Sequence, residues 1–389
     1  MNRDFEYVNP TQVVFGKSAM ESLPAILSMF GDRILLAYGG GSIKENGVYD
    51  QVMEVLSACG KTVTEFTGIM PNPTYAKVLE GGALARQCEA DLILAVGGGS
   101  VIDCAKAVSI AAVEEGDLWT KYWMEKQIPD CDPIPVGVVL TMAGTGSEMD
   151  GDAVITNEET KCKTSCWDYA IYPKFAVLNP EFTYSVPQYQ MVSGIFDALS
   201  HIMEAYFSPD DEDNISDDIA EALMKSIIRN TPVAIENPRD YTARSNLMWA
   251  SSLALSGLVA LSKAEDWEVH QIQHQLGAYY NCAHGMGLAA ISPAYYRLVC
   301  PYGLSKFKRF AVNVWGVDPA GKTDLEVAME GVDALARYIK DSHMTSSLRE
   351  LGILDDSLLE TIASTCYIRK GGYHPLTRKE VLQILRESF

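Results

Sequence analysis

Two short apolar runs in the first hundred residues end in the same tetrapeptide, Gly-Gly-Gly-Ser. The runs are 33–38 and 91–96, and the glycine turns are 39–42 and 97–100. A short buried run that passes through glycines into a helix is typical of a parallel sheet, because the next parallel strand is reached through a crossover helix. The pattern therefore restricts this half of the chain to an α/β fold.

The remaining segments up to residue 140 continue the alternation of strand and helix. Strands are predicted at 12–15, 61–67 and 135–140, and helices at 19–30, 48–59, 72–88 and 101–112. Residues 114–132 are predicted to be an acidic loop, and Lys163 lies beyond it in a polar hairpin region. We expect a mainly parallel sheet with helices on both faces.

From Pro187 onward apolar residues recur at helical spacing and strand signals nearly vanish. Helices are predicted at 188–207, 215–231, 240–261, 264–280, 286–298, 303–315, 323–344, 355–368 and 377–387. The change of pattern predicts an α/β domain of residues 1–186, followed by an all-α domain of residues 187–389.

Composition excludes some functions. The formal net charge of −20 argues against a nucleic-acid surface, which needs clustered basic residues. The chain has no apolar run of about 18 residues and no signal-peptide core, so we predict no membrane span. The nine cysteines include no CxxC pair, which predicts reduced thiols and a cytoplasmic protein. Cys162 and Cys166 are interpreted as incidental loop residues, with a metal or redox pair as the alternative.

The glycine turns indicate phosphate binding. Glycines between a strand and a helix let backbone amides approach a phosphate, and the helix dipole favours the anion. Two such turns favour a dinucleotide site, although neither has the usual GxGxxG pattern. A third turn, 143–148, contains Thr145 and Ser147, which can hold a ribose, a pyrophosphate or an amide, or belong to a plain surface turn.

Four of the six histidines lie between residues 201 and 284. Asp197 and His201 are four residues apart, as are His270 and His274, so each pair shares one helix face. A carboxylate with several imidazoles is the donor set of a divalent-metal site; the alternative is a group of satisfied core histidines. A cleft between the two halves is the expected meeting place of cofactor and metal.

The motifs GGGS, GGGSxxDxxK, TxxxTGSE, DAxxH, HxxxH and HG, in this order, resemble the iron-containing alcohol dehydrogenase family over essentially the whole chain. The segments PTQVVFGK and YGGGSIKENGVYDQV and the pair DW…H resemble its butanol dehydrogenase and NADPH-dependent aldehyde reductase branch. The resemblance implies a dinucleotide-binding domain followed by a metal-binding domain. It also implies hydride transfer between NADP(H) and an alcohol or aldehyde, mainly the reduction of aliphatic aldehydes such as butanal. We also predict a homodimer.

The resemblance also implies roles for single residues. The metal ligands would be Asp197, His201, His270 and His284, with iron expected and zinc or nickel as alternatives. His274 would lie beside the nicotinamide without binding metal, and we predict that it relays a proton. The predicted cofactor contacts are Gly40, Gly41, Ser42, Asn72, Gly97, Gly98, Gly99, Ser100, Asp103, Thr141, Thr145, Ser147 and Lys163.

The first glycine turn predicts that NADP(H) is preferred over NAD(H). NAD-using members of the family resemble one another in carrying an aspartate at this turn, whereas this chain has no carboxylate there before Glu45. Glycine amides and the Ser42 hydroxyl can donate to a 2′-phosphate, and Lys44 adds positive charge. Asp150 and Asp152, by contrast, are unexpectedly acidic for residues near a cofactor amide.

Two other functions compete with the dehydrogenase interpretation. A lyase of the dehydroquinate synthase type uses the same nucleotide and metal scaffold, but it would need basic residues for a phosphorylated, carboxylated substrate. The apolar and acidic neighbours of the ligands, such as Phe196, Trp267 and Glu268, argue against it. A non-catalytic nucleotide-binding scaffold is the second alternative, which a lost ligand would favour, and none is lost.

Overall fold

The computed structural model describes residues 3–209 and 213–389. The chain divides into two compact units, Val8–Val186 and Pro187–Phe389, the latter joined by the residues up to Tyr7. The first unit contains a parallel sheet with helices, and the described part of the second is built from helices without strands. This confirms the predicted fold class.

The described residues of the first unit form eight strands. They are β1 (Gln12–Phe15), β2 (Arg33–Tyr38), β3 (Thr62–Phe66), β4 (Leu92–Gly97), β5 (Val136–Leu140), β6 (Asp152–Asn157), β7 (Cys162–Trp167) and β8 (Phe175–Leu178). Six of them form a parallel sheet in the order β1-β8-β5-β4-β2-β3, and β6 pairs with β7 in an antiparallel hairpin.

Five α-helices cover this sheet. They are α1 (Leu23–Leu27), α2 (Ser42–Glu45), α3 (Val48–Ala58), α4 (Tyr75–Gln87) and α5 (Gly99–Ala111). The central strands β2 and β4 are apolar runs because both of their faces are covered. Ile34 and Leu36 of β2 pack in one cluster with Val52 and Leu56 of α3.

The chain changes direction in the sheet between β2 and β4. From β2 it proceeds outward to β3, and it then returns to β4 on the other side of β2. Ligands of open parallel sheets bind at the carboxyl ends of the strands at such a switch point. Both Gly-Gly-Gly-Ser turns begin there, and a Cβ at Gly39 would lie only 3.9 Å from Val101.

The structure corrects three details of this unit. The acidic loop predicted at 114–132 contains a π-helical turn, Trp119–Met124, because Trp119 and Trp123 are buried and stack with their centroids 5.9 Å apart. The strand β8 was not predicted. Cys162 and Cys166 lie on the strand β7 instead of in a loop, and both thiols are free.

The described residues of the second unit form nine α-helices. They are α6 (Gln188–Tyr206), α7 (Ile215–Glu236), α8 (Tyr241–Ala254), α9 (Glu268–Tyr280), α10 (His284–Val299), α11 (Leu304–Asn313), α12 (Asp324–Asp341), α13 (Leu359–Thr365) and α14 (Arg378–Glu387). Within the described ranges, no helix is both long enough and apolar enough to cross a membrane.

Local signals explain where these helices begin. Thr323 and Thr377 each form a capping box with the glutamate three residues later, which satisfies amides that a helix start leaves unpaired. The helix α9 begins only at Glu268, later than predicted, because Trp267 has a left-handed backbone with φ of 56°. Asp266 Oδ1 accepts a hydrogen bond from the backbone amide of Glu268 at 3.2 Å, which satisfies an amide at the N-terminus of α9.

Candidate metal centre and nucleotide site

Three helices bring the metal-type side chains together inside the second unit. The buried helix α6 carries Asp197 and His201 on one face, α9 carries His270, and His284 is the first residue of α10. Ligand-type atoms of Asp197, His201 and His270 lie within 4.8 Å of one another, and this is the one such group of three in residues 3–209 and 213–389.

The imidazoles converge on one carboxylate oxygen. The Nε2 atoms of His201, His270 and His284 lie 3.5, 3.6 and 3.3 Å from Asp197 Oδ1. The structure therefore brings together all four predicted ligands, and His284 approaches the group through its contact with Asp197.

The donor set fits a divalent metal. Asp197 Oδ1 and His270 Nε2 are buried and have no hydrogen-bond partner in the described part of the chain. Buried polar atoms without a partner are costly, and a cation between this oxygen and these nitrogens would satisfy both. One carboxylate and three imidazoles suit iron, zinc or nickel.

Two further side chains orient the ligands. Glu204 accepts from the backbone amide of His270 at 3.0 Å and lies 2.6 Å from its Nδ1. The amide oxygen of Gln273 accepts from Nδ1 of His284. A ring nitrogen that donates on one side leaves the other nitrogen free to bind metal, so both contacts direct Nε2 towards Asp197.

The local electrostatics hold Asp197 and His201 in the forms that bind metal, whereas His270 would have to lose a proton to bind it. Burial raises the pKa of Asp197, but the surrounding histidines outweigh it and hold this pKa well below its ordinary value. Burial lowers the pKa of His201 to about 3, so its imidazole stays neutral. Burial also disfavours a charged His270, but the Glu204 carboxylate raises its pKa to about 9.

His274, the predicted proton relay, lies at the edge of this cluster. Its ring centroid is 6.2 Å from that of His270 and 5.6 Å from that of His284. It does not belong to the group of three ligands. Trp267 packs edge-on against His201 and His270, with centroids 5.8 and 5.3 Å apart.

The sequence reasoning missed Glu204, Gln273 and the contacts of Trp267. A signal for Glu204 was present, because it follows His201 by three residues and Asp197 by seven, which places all three on one face of α6. Glu204 is a carboxylate that is only 2% exposed, so it needs a buried partner.

We expect Glu204→Gln to weaken metal binding about 10–100-fold, the usual cost of losing a group that orients a ligand. The variant loses the charge that acts on His270 but keeps the side-chain volume. Competition with a chromogenic chelator measures the affinity, and Glu236→Gln, at an exposed position of α7, serves as the control. Wild-type affinity in Glu204→Gln would contradict the orienting role.

The second glycine turn is shaped by close packing. A Cβ on Gly97 would lie 2.5 Å from Val101, and one on Gly99 would lie 2.3 Å from Thr145. Gly98 and Ser100 flank Gly99 at the start of α5, and the Thr141 amide donates to Gly97 O at 3.0 Å. These glycines are therefore required by the fold, while the amides at the start of α5 give the turn its capacity for phosphate.

The first glycine turn is open. A Cβ on Gly40 or Gly41 would meet no atom within 4 Å, and Gly41 has φ of 111°. Ser42 begins α2 and is exposed. Lys44 lies 3.3 Å from Glu65, which also accepts from the hydroxyls of Tyr38 and Tyr49.

Asn72 and Lys163, predicted separately as cofactor contacts, meet in the structure. Lys163 Nζ donates to Asn72 Oδ1 at 2.8 Å, and Asn72 has a left-handed φ of 54°. The Thr156 amide of β6 donates to Pro73 O at 2.9 Å. This attaches the turn before α4 to the hairpin that carries Lys163.

A buried ionic network accounts for Asp150 and Asp152. Lys106 Nζ donates to Asp150 Oδ1 at 2.5 Å, to Ser147 Oγ at 3.0 Å and to the backbone oxygen of Asp152 at 2.9 Å. Ser147 donates to Asp103. Burial raises the pKa of both Asp103 and Asp152 to about 7. The side chains of Asp103 and Ser147 thus bond within the unit, and their contact with a cofactor stays a prediction.

Comparison with known proteins places this geometry among metal-dependent dehydrogenases. The family model "Iron-containing alcohol dehydrogenase" matches residues 10–180, and "Fe-containing alcohol dehydrogenase family, C-terminal" matches residues 191–389. NADH-dependent butanol dehydrogenase A of Clostridium acetobutylicum is 38% identical over 99% of both chains. The NADPH-dependent aldehyde reductase YqhD of Escherichia coli is 33% identical over 96% of both. The crystal structure of NADH-dependent butanol dehydrogenase A from Thermotoga maritima has a TM-score of 0.93 at 36% identity, covering 99% of this chain and 98% of that one.

Proposed function

We propose that this chain, which belongs to the iron-containing alcohol dehydrogenase family, reduces aliphatic aldehydes such as butanal with NADP(H) as its preferred cofactor. The observation that carries the proposal is the convergence of three imidazole Nε2 atoms on the unpaired Asp197 Oδ1. The lyase alternative is not retained, because the matching family and the relatives named above are alcohol dehydrogenases and an aldehyde reductase.

The residues of the centre have separate tasks. When bound, a divalent metal held by Asp197, His201, His270 and His284 supplies Lewis-acid stabilisation of the charge that develops on the substrate oxygen. Glu204 and Gln273 fix the orientation of two of these imidazoles. His274 lies outside the ligand group but next to His270 and His284, and we assign to its imidazole the proton that accompanies carbonyl reduction.

The aldehyde preference is supported by the side chains around the ligands. The indole of Trp267 is an apolar surface beside His201 and His270, which favours an aliphatic over a polyhydroxylated substrate. Steady-state reduction of butanal, hexanal, glyceraldehyde and a sugar phosphate tests this choice. We expect the highest kcat/KM with the aliphatic aldehydes, and a preference for the sugar phosphate would refute it.

Two features of the first glycine turn support NADP(H). Gly40 and Gly41 leave open space, and the turn carries no carboxylate before Glu45. Lys44 forms an ion pair with Glu65, whose carboxylate also accepts hydrogen bonds from two tyrosine hydroxyls. The relatives named above include both NADH-dependent and NADPH-dependent enzymes, so kinetics with both cofactors must decide. Equal or better efficiency with NADH would overturn the preference.

We expect Gly40→Asp to lower kcat/KM with NADPH at least about tenfold more than with NADH, because a carboxylate beside a phosphate is repulsive. Gly40 is the better position for this test, since a side chain at Gly41 is strained by its φ of 111°. Gly40→Asn has the same size without the charge and serves as the matched control. An equal loss with both cofactors in Gly40→Asp would contradict this location for the 2′-phosphate.

We further propose that the enzyme is a cytoplasmic homodimer, as the sequence analysis predicts. Multi-angle light scattering of the purified protein measures the oligomeric state. A mass corresponding to a single chain of 42.7 kDa would refute the dimer, and recovery in a membrane or secreted fraction would refute the location.

A further inference from the structure

A carboxylate reaches the first glycine turn from a neighbouring strand. Glu65 lies in β3, which pairs with β2 in the sheet, and its Oε2 atom is 3.3 Å from the ammonium of Lys44. The chain after β3 is bonded to the same turn, because the Gly68 amide donates to Gly39 O at 3.1 Å. The turn therefore has a negative charge beside it, although none of its own residues before Glu45 carries one.

Two tyrosine hydroxyls hold this carboxylate in its ionised form. Its Oε2 atom accepts from the hydroxyl of Tyr38, and its Oε1 atom accepts from that of Tyr49 at 2.8 Å. The bond from Tyr38, followed by the bond from Tyr49, lowers the pKa of Glu65 below its ordinary value. Tyr38 ends β2 and Tyr49 lies in the first turn of α3, so the elements on both sides of the glycine turn fix the position of the charge.

The ammonium of Lys44 is compensated but still accessible. Besides its ion pair, it lies over the rings of Tyr49 and Tyr38, at 4.4 and 5.1 Å from their centroids, and the face of an aromatic ring attracts a cation. The side chains of Lys44 and Glu65 are 48% and 37% exposed, so both charges act on a ligand in the turn. Lys44 attracts a phosphate there, whereas Glu65 repels it.

We propose that Glu65 determines how strongly the enzyme discriminates between the two cofactors, by compensating the charge that Lys44 offers to a 2′-phosphate. This inference rests on the location of the 2′-phosphate at the first glycine turn that is proposed above. The repulsion acts on the phosphate alone, because NADH carries a hydroxyl group at that position. Glu65 therefore keeps the preference for NADP(H) smaller than the open glycine turn and Lys44 would give without it.

Cofactor binding to the metal-loaded protein in the absence of aldehyde tests the inference. Isothermal titration calorimetry gives the dissociation constants of NADPH and NADH for the wild type and for Glu65→Gln, which keeps the side-chain size and an oxygen that accepts from the tyrosine hydroxyls. We expect Glu65→Gln to lower the dissociation constant of NADPH at least about threefold relative to that of NADH, because a charge near the phosphate is removed. The gain is expected to shrink at high ionic strength, since salt screens exposed charges.

Two further variants identify the source of the change. Lys44→Met removes the attracting charge and is expected to raise the dissociation constant of NADPH but not that of NADH. Glu21→Gln, at an exposed position after β1 on the opposite edge of the sheet, is the matched control and is expected to change neither constant. An unchanged or smaller preference for NADPH in Glu65→Gln, or a gain that is independent of salt, would overturn the inference. If the wild type binds NADH more tightly, the proposed cofactor preference fails, while a shift towards NADPH in Glu65→Gln still supports the role of Glu65.

Discussion

His270→Ala is expected to abolish stoichiometric metal binding and to lower kcat/KM for aldehyde reduction at least about a thousandfold, equivalent to about 4 kcal/mol of transition-state stabilisation. His270 Nε2 is buried, lies 3.6 Å from Asp197 Oδ1 and has no other polar partner in the described residues. In the proposed mechanism, its loss removes a metal ligand and with it the stabilisation that the metal would give to the substrate oxygen. Metal analysis and steady-state kinetics measure the two effects.

A second ligand variant separates this result from misfolding. His270→Ala leaves the buried Glu204 carboxylate without its imidazole partner, which destabilises the helical unit. His284→Ala avoids this, because His284 is partly exposed and contacts Gln273, and it is expected to show the same loss of metal and activity. His374→Ala, at a histidine that pairs with Glu380, is the control. Full metal content in both ligand variants would refute the assignment.

Lys106→Met is expected to lower the free energy of unfolding by about 3–5 kcal/mol, the usual result of removing one partner from a buried ion pair. Lys106 is fully buried and donates to Asp150, Ser147 and the backbone of Asp152. Methionine fills similar space but leaves the carboxylate of Asp150 uncompensated. Urea unfolding followed by circular dichroism measures the change.

Two further variants test the reason for this loss. Lys121→Met removes a partly exposed lysine from its pair with Glu114 and is expected to change the free energy of unfolding much less, because solvent screens exposed ion pairs. Lys106→Met combined with Asp150→Asn removes both charges and is expected to recover part of the stability. A Lys106→Met protein as stable as the wild type would show that the network does not hold α5 to β6.

The features that local rules determine were predictable from the sequence. The two Gly-Gly-Gly-Ser turns predicted parallel strands, because each joins an apolar strand to a helix within a few adjacent residues and this local pattern is typical of a parallel sheet. The spacing of Asp197 and His201 predicted a shared face because helix geometry fixes the position four residues on. The relation of His270 and His284 to that face was implied by family resemblance, since no local rule connects residues so far apart.

The contacts that depend on tertiary packing were not predictable. Helical spacing places Glu204 on the face of α6 that carries Asp197 and His201, but its contact with His270 depends on how α6 and α9 meet in the fold. The role of Asp150 depends on Lys106, which comes from a different element. The acidic neighbours of Trp119–Met124 predict a loop, whereas the structure has a helical turn there. The prediction was wrong because the stacking of Trp119 on Trp123 cannot be inferred from the charge of the segment.

The central claim is that bound metal at Asp197, His201, His270 and His284 makes this chain an aldehyde reductase. The most direct measurement is butanal-dependent oxidation of NADPH by anaerobically purified protein, before exhaustive chelation, after it, and after ferrous iron is added back. We predict that activity falls with metal content and returns when one metal per chain is restored. A metal-free protein that reduces butanal at the original rate would contradict the account.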